Sequence, residues 1–101
     1  MRDKKTNAIL IHHNDNVVTA TESLLAGGIA RYQKDREVVE IIVTQEIPKF
    51  HKIAVIEIPE SKHVIKYGQV IGAAIKDIPK GSHVHDHNIA SPKTMSHVRR
   101  M

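Results

Sequence analysis

His63-Val64-Ile65-Lys66-Tyr67-Gly68-Gln69-Val70-Ile71-Gly72-Ala73-Ala74-Ile75-Lys76-Asp77-Ile78-Pro79-Lys80-Gly81-Ser82-His83-Val84 decides the fold class. The run from His63 to Tyr67 and the run from Val70 to Ile75 are rich in β-branched residues, and Gly68-Gln69 makes a tight link between them. Gly72 inside the second run predicts a bulge or a close backbone approach. Asp77-Ile78-Pro79-Lys80-Gly81 then turns the chain again. The segment Glu57-Ile58-Pro59-Glu60-Ser61-Lys62-His63-Val64 echoes Asp77-Ile78-Pro79-Lys80-Gly81-Ser82-His83-Val84. In both, a His-Val pair starts five residues after the isoleucine of an Ile-Pro step, so the two corners are expected to be related by approximate symmetry.

Upstream, the same grammar continues. Asn7 to Ile11 is a short apolar run that ends in the turn-forming cluster His12-His13-Asn14-Asp15-Asn16, and Val17-Val18-Thr19-Ala20 resumes strand composition. Thr21 to Leu25 has the look of a helical start capped by Thr21, stopped at once by Gly27-Gly28. Ile29 to Gln33 and Glu37 to Gln45 read as strands around the charged turn Lys34-Asp35-Arg36. The second is strongly β-branched and only loosely alternating, which predicts partial cover on both faces. Pro48 makes Ile47 to Lys52 a connection that delivers His51 from a bend, and Lys52 to Ile58 alternates as a strand again. Many short strands between Gly and Pro turns, without a convincing long helix, predict a small all-β, barrel-like or clip-like domain. Its expected limits are residues 7–90, with tails at 1–6 and 91–101.

The composition narrows the classes of function. A chain of 101 residues fits one domain, and the absence of cysteine excludes disulfides, thiolate nucleophiles and Cys-ligated metals. No run reaches the length of a membrane span, so a cytoplasmic protein with no membrane partner is expected. The net charge of +4 comes from scattered Lys and Arg residues, and aromatics make up only 3% of the chain. Nucleic-acid binding needs clustered cations and stacking rings, so no nucleic-acid partner is expected. A small anionic substrate uses the same charge more economically.

The chemistry concentrates in Gly81-Ser82-His83-Val84-His85-Asp86-His87-Asn88. If this backbone is extended, His83, His85 and His87 project from one face, with Asp86 and Asn88 on the other. Neighbouring imidazoles in such a row can converge on one divalent ion. His85 and His87 are the first candidates for metal contact, and His83 follows as a residue for substrate. His12 and His51 are candidate general acids or bases near neutral pH. Lys66 is a candidate partner for a substrate carboxylate. Tyr67 is expected to pack with its hydroxyl at the surface, while His13, His63 and His97 carry no assigned role.

These residues also resemble a known family. Asn7-Ala8-Ile9-Leu10-Ile11-His12 with Asp15-Asn16-Val17, Ile47-Pro48 leading to His51-Lys52, Val64-Ile65-Lys66-Tyr67-Gly68 with Ile71-Gly72, and Gly81 to Asn88 together resemble the SAF domain of altronate and galactarate dehydratases. The resemblance spans residues 7 to about 89. It implies a β-clip fold and the small (SAF) part of a sugar-acid hydro-lyase, with a large dehydratase subunit as partner. It also implies a divalent metal, iron(II) or manganese(II). A sulfolactate sulfo-lyase-like small subunit and a non-catalytic metal- or carbohydrate-binding SAF module are the alternatives, and a homo-oligomer stays open as an assembly. The acidic residues show no paired spacing for an acid/base couple, so the chain alone is expected to be inactive. Two departures stand out: Phe50 and Ser61 occupy turn positions where the family usually has glycine.

Overall fold

The computed structural model describes residues 5–90, and these contain nine short strands and no helix. The expected tail at 91–101, with His97, and residues 1–4 of the expected tail at 1–6 lie outside the described residues. No helix among the described residues is long and apolar enough to cross a membrane. The strands are β1 (Ala8–Ile9), β2 (Val17–Ala20), β3 (Ile29–Lys34), β4 (Glu37–Ile42), β5 (Lys52–Ala54), β6 (His63–Lys66), β7 (Gln69–Ala74), β8 (His83–Val84) and β9 (Ile89–Ala90). They form a four-stranded sheet ordered β1-β2-β5-β8, a two-stranded β3-β4 sheet and a three-stranded β6-β7-β9 sheet, all antiparallel. The all-β, β-clip-like class expected from the sequence is what the chain adopts.

Side-chain alternation explains how the three sheets stack. On β2 and β5, Val18, Ala20 and Ile53 join one buried cluster with Tyr32 and Ile41 of the β3-β4 hairpin. Their neighbours Val17 and Ala54 join a second cluster with Val64, Ala74, Ile78 and Val84. Successive residues of a strand point to opposite faces, so the four-stranded sheet is covered on both sides. By contrast β4 is covered on one side only. Ile41 is buried, yet Val38 is 39% and Ile42 66% exposed, which corrects the expectation of partial cover on both faces. The β-branched composition there reflects strand propensity rather than burial.

Four corners repeat one local geometry. Turns at Leu25–Gly28, Pro48–His51, Pro59–Lys62 and Pro79–Ser82 each close with the fourth residue's N–H donating to the first residue's carbonyl, at 2.9, 3.0, 3.0 and 3.1 Å. In each, the third residue is left-handed: Gly27 (φ 86°), Phe50 (71°), Ser61 (73°) and Gly81 (89°). The residue before each turn is buried, and these residues bridge in pairs, Leu24 with Ile47 and Ile58 with Ile78. The expected kinship of the Ile58-Pro59 and Ile78-Pro79 corners is therefore real, and it extends to two more. Thr21 to Leu25 leads into the Leu25–Gly28 corner instead of starting a helical turn, with Leu24 drawn into a bridge with Ile47.

The departures at Phe50 and Ser61 now have a physical meaning. A left-handed residue with a Cβ costs about 1–2 kcal/mol, and glycine returns part of that as greater freedom of the unfolded chain. Ser61 is exposed, so Ser61→Gly is expected to stabilise the chain by about 0.5–1 kcal/mol. The urea midpoint reads this directly, and a midpoint that stays put or falls would refute the strain.

The β6-β7 hairpin turns at Tyr67-Gly68, since Lys66 pairs with Gln69, and both turn residues have positive φ. That is the backbone of a tight type I′ turn. Tyr67 is 60% exposed there and does not pack, contrary to expectation. The predicted bulge is present: Val64 pairs with Gly72 but Ile65 with Val70, leaving Ile71 as the extra residue. Asp15, buried, locks this hairpin to the turn before β2. Its carboxylate accepts from His12 N (3.1 Å), Tyr67 N (3.1 Å) and Gly68 N (2.8 Å).

Candidate functional site

Antiparallel pairing of β5 with β8 sets Lys52 opposite Val84 and Ile53 opposite His83. Continued by one residue, this register brings His51, at the end of the Pro48 turn, opposite His85. The rings follow the backbone. His51 stacks on His85 with centroids 4.2 Å apart and on His83 at 5.0 Å, and His83 and His85 lie 5.5 Å apart. His51 Nδ1 and His83 Nε2 share a hydrogen bond of 2.8 Å. One nitrogen from each of His51, His83 and His85 falls within 4.8 Å of the others.

The histidine row is not one extended strand. β8 ends at Val84, and residues 85–88 curl into a turn. The cause is Asn88, expected on the opposite face but in fact buried. Its Oδ1 accepts from His85 N (2.9 Å) and its Nδ2 donates to the His83 carbonyl (2.8 Å). An asparagine that bonds the nearby backbone in this way offers an alternative to the strand ladder. His87 is carried round to an exposed position, where its ring meets only the outer side of His83 at 5.1 Å. Gln45 braces the other end by accepting from His83 N at 3.1 Å. Sequence reasoning missed both amides. The Asn-capped turn had a visible cue in Asp86-His87-Asn88, whereas Gln45 lies 38 residues away and had none. Replacing Asn88 with alanine leaves a part-buried carbonyl and a part-buried N–H unpaired, so a loss of about 1–3 kcal/mol is expected in thermal unfolding. A wild-type melting curve would show that the turn holds without it.

The other candidates fall elsewhere. His12 lies in the turn before Val17, whereas His51 bonds to the Ala20 end of the same strand, through its carbonyl at 2.9 Å. The His12 ring stacks on His13 at 4.7 Å and lies against Gly68, where an added Cβ would come within 3.0 Å. Its Nδ1 accepts from Asn14 N (3.1 Å), so the proton of the neutral ring sits on Nε2. Lys66 ends β6 with its ammonium 5.1 Å from the Tyr67 ring centroid. His63 is exposed on β6.

Burial, and then neighbouring charges, favour the neutral form of His51 and His83. Partial burial, followed by His51, His87, His85 and Lys52, pushes the His83 imidazole down to about 4. Partial burial, then His85 and Lys52, lowers His51 as well. Burial and then Lys66 lower Lys52, with Asp86 opposing them. An unfolded histidine titrates near 6.5, so between that value and about 4 the unfolded chain binds the extra proton at His83. Stability from this group is therefore present above about pH 6.5 and lost as pH falls toward about 4. The ion-free chain should show urea midpoints that decline through this window, and His83→Gln should flatten the decline. An unchanged pH profile in that variant would rule out His83 as the group responsible.

The donor set suits a metal ion. Two nitrogens about 2.1 Å from one ion lie roughly 3.0–3.4 Å apart at octahedral or tetrahedral angles, so the 2.8 Å between His51 and His83 needs only a small opening to admit an ion. The buried Nδ1 of His85 has no hydrogen-bond partner among the described residues, which leaves a lone pair or a proton unused. Three imidazoles without a carboxylate match ions that prefer nitrogen.

A family model for the altronate/galactarate dehydratase SAF domain matches residues 6–92. The chain is 40% identical over 80 residues to altronate dehydratase of Escherichia coli (strain K12), and 34% identical over 86 residues to galactarate dehydratase (L-threo-forming) of the same organism. These matches cover 79% and 84% of this chain but 15% of each dehydratase, so the chain spans only a small part of those relatives. It is also 32% identical over 89 residues to (2R)-sulfolactate sulfo-lyase subunit alpha of Chromohalobacter salexigens, across 83% of this chain and 94% of that subunit. A nine-stranded domain with this histidine corner, matched over nearly all its described length, belongs to the altronate/galactarate dehydratase SAF domain family.

Proposed function

We propose that this chain is the SAF component of a cytoplasmic, metal-dependent sugar-acid dehydratase, a hydro-lyase whose site is completed by a large subunit. The observation that carries the reading is the convergence of His51, His83 and His85 nitrogens within 4.8 Å, in a domain of this family. Removing the proton beside a carboxylate is difficult because the carboxylate already bears charge, and a bound Lewis acid neutralises the charge that develops. In this reading His51, His83 and His85 hold the ion. His51 thus moves from general acid or base to ligand, and His87 from ligand to the exposed rim. The all-nitrogen set favours iron(II) over manganese(II). Lys66 binds substrate carboxylate, and His12, with its proton on Nε2, is the remaining candidate acid or base.

The chain is too small to enclose a substrate and depends on its partner for the rest of the site. In the dehydratases it resembles, the other 85% of the length lies outside the match. A sulfo-lyase small subunit is the second reading, favoured by the near full-length match to subunit alpha. The test is reconstitution with a large subunit, followed by assay of aldonates, aldarates and sulfolactate with iron(II) or manganese(II). Dehydration only in the mixture supports the proposal, and sulfite release selects the second reading. Co-purification without turnover of either substrate class would leave a non-catalytic SAF module. Turnover by the isolated chain would overturn the dependence on a partner.

A further inference from the structure

The Pro48–His51 corner differs from the other three in the side chain it exposes. Its third residue, Phe50, is left-handed at φ 71° and 65% exposed, whereas Gly27, Ser61 and Gly81 hold that position elsewhere. A bulky side chain in the left-handed region is an outlier of backbone conformation, and a large apolar ring left in water is a second unfavourable feature. Neither is relieved within the chain. Phe50 joins neither buried cluster, and its ring meets the Lys49 ammonium, 4.9 Å from the centroid. The backbone around it is nonetheless fixed. Phe50 N donates to Ala20 O at 2.7 Å, Ala20 N to His51 O at 2.9 Å, and His51 N to Pro48 O at 3.0 Å. Strain that a rigid frame holds in place points to function.

The position of this ring says what covers it. Phe50 precedes His51 directly, so their Cα atoms are about 3.8 Å apart. The histidine corner lies between two turns, Pro48–His51 and residues 85–88, and Lys49, Phe50, Asp86 and His87 are all exposed there. A stable interface buries about 800 Å² on each partner, a patch several residues wide in every direction. A subunit that closes over His51 therefore covers Phe50 as well. Lys49 has no ion pair among the described residues, and residues 48–52 carry two lysines and no acid. The surface that fits them is an apolar pocket with a carboxylate at its rim. The pocket takes the ring, and the carboxylate takes Lys49.

We infer that Phe50, with Lys49 beside it, is the anchor by which this chain docks on a large subunit, seating the histidine corner against the rest of the site. The identification of the partner rests on the function proposed above; the strained, exposed ring does not. Aromatic side chains seated in desolvated pockets carry much of the binding energy of an interface, and a backbone already held in the bound geometry lowers the ordering cost of binding. The ring thus supplies affinity. The Lys49 charge speeds the encounter and disfavours basic partners.

The experiment titrates the full chain into the large subunit used for reconstitution, and measures urea midpoints of the free chain beside it. Asparagine tolerates the left-handed region, so Phe50→Asn removes the ring and keeps the corner. It is expected to raise the midpoint of the free chain and to weaken the complex about 30-fold or more. Phe50→Tyr keeps the ring and should bind within a few-fold of wild type. Lys49→Gln should weaken the complex by a smaller factor and flatten its dependence on salt. A complex that Phe50→Asn leaves as tight as wild type would overturn this inference and spare the proposed function. A Phe50-dependent complex that turns over none of the substrates would do the reverse. A midpoint that falls in Phe50→Asn along with the affinity would mean that the ring supports the fold, and would also overturn it. No complex with the wild-type chain would overturn both.

Discussion

His83→Ala is expected to lower the affinity of the chain for cobalt(II) or iron(II) by more than about 100-fold, while His87→Ala leaves it within a few-fold. Loss of a group that merely orients a ligand already costs about 10–100-fold, and His83 contributes a nitrogen itself. Its Nε2 is 2.8 Å from His51 Nδ1, and both belong with His85 to the set within 4.8 Å. His87 has only a tilted ring contact with His83 and no nitrogen in that set. His51→Ala and His85→Ala should behave like His83→Ala, and His12→Ala like His87→Ala. Isothermal titration at pH 7.5 with matched circular dichroism spectra separates loss of ligation from loss of fold. If His87→Ala abolished binding while His51→Ala did not, the ion would have to sit along the 83–87 segment rather than between the strands.

Gly81→Ala should be the most damaging single methyl in the chain. Gly81 is left-handed at φ 89°, and a Cβ there would lie 2.3 Å from the Ile42 carbonyl oxygen, a backbone atom that cannot rotate away. Both of its peptide groups are engaged, its N–H donating to Ala54 O (2.8 Å) and its carbonyl accepting from Thr44 N (3.0 Å). The left-handed conformation alone costs about 1–2 kcal/mol with a side chain, and forcing a methyl into a packed site adds about 1–3 kcal/mol. A total of roughly 2–5 kcal/mol is a large share of the stability of a domain this size, so Gly81→Ala should melt far below wild type or fail to fold. Gly27→Ala is the control. Gly27 has nearly the same φ, 86°, but nothing within 4 Å of the added methyl, so only the conformational penalty applies. Equal losses in the two variants would mean that crowding at Ile42 plays no part. Because Ser82 and His83 follow directly, any folded Gly81→Ala chain should also bind metal more weakly.

These two expectations show how unevenly the molecule can be read from its residues. The strands at Val17–Ala20 and His63–Lys66, the bulge beside Gly72 and the corners at Pro48, Pro59 and Pro79 were legible, because each depends on alternation or on a residue whose backbone options are few. The association of histidines was legible in part: His83 and His85 are two residues apart, so local geometry alone keeps them close. His51 was visible as a residue delivered by a turn, but its meeting with His85 depends on the register between β5 and β8, and a one-residue slip would send it to the other face. Glycine at Gly81 was recognisable as a turn former, yet the Ile42 carbonyl that makes it irreplaceable is 39 positions away. At Phe50 and Ser61 the same left-handed geometry occurs without glycine.

What the amino-acid order determined by itself is therefore the all-β class, the corners and the kind of chemistry available: imidazole and ammonium groups, no thiol. Only the tertiary structure decided which of these groups work together. It put His51 with His83 and His85, left His87 at the rim and turned Asn88 inward as a clamp. The reason is that composition and periodicity act over a few residues, whereas cross-strand register and sheet stacking join positions tens of residues apart.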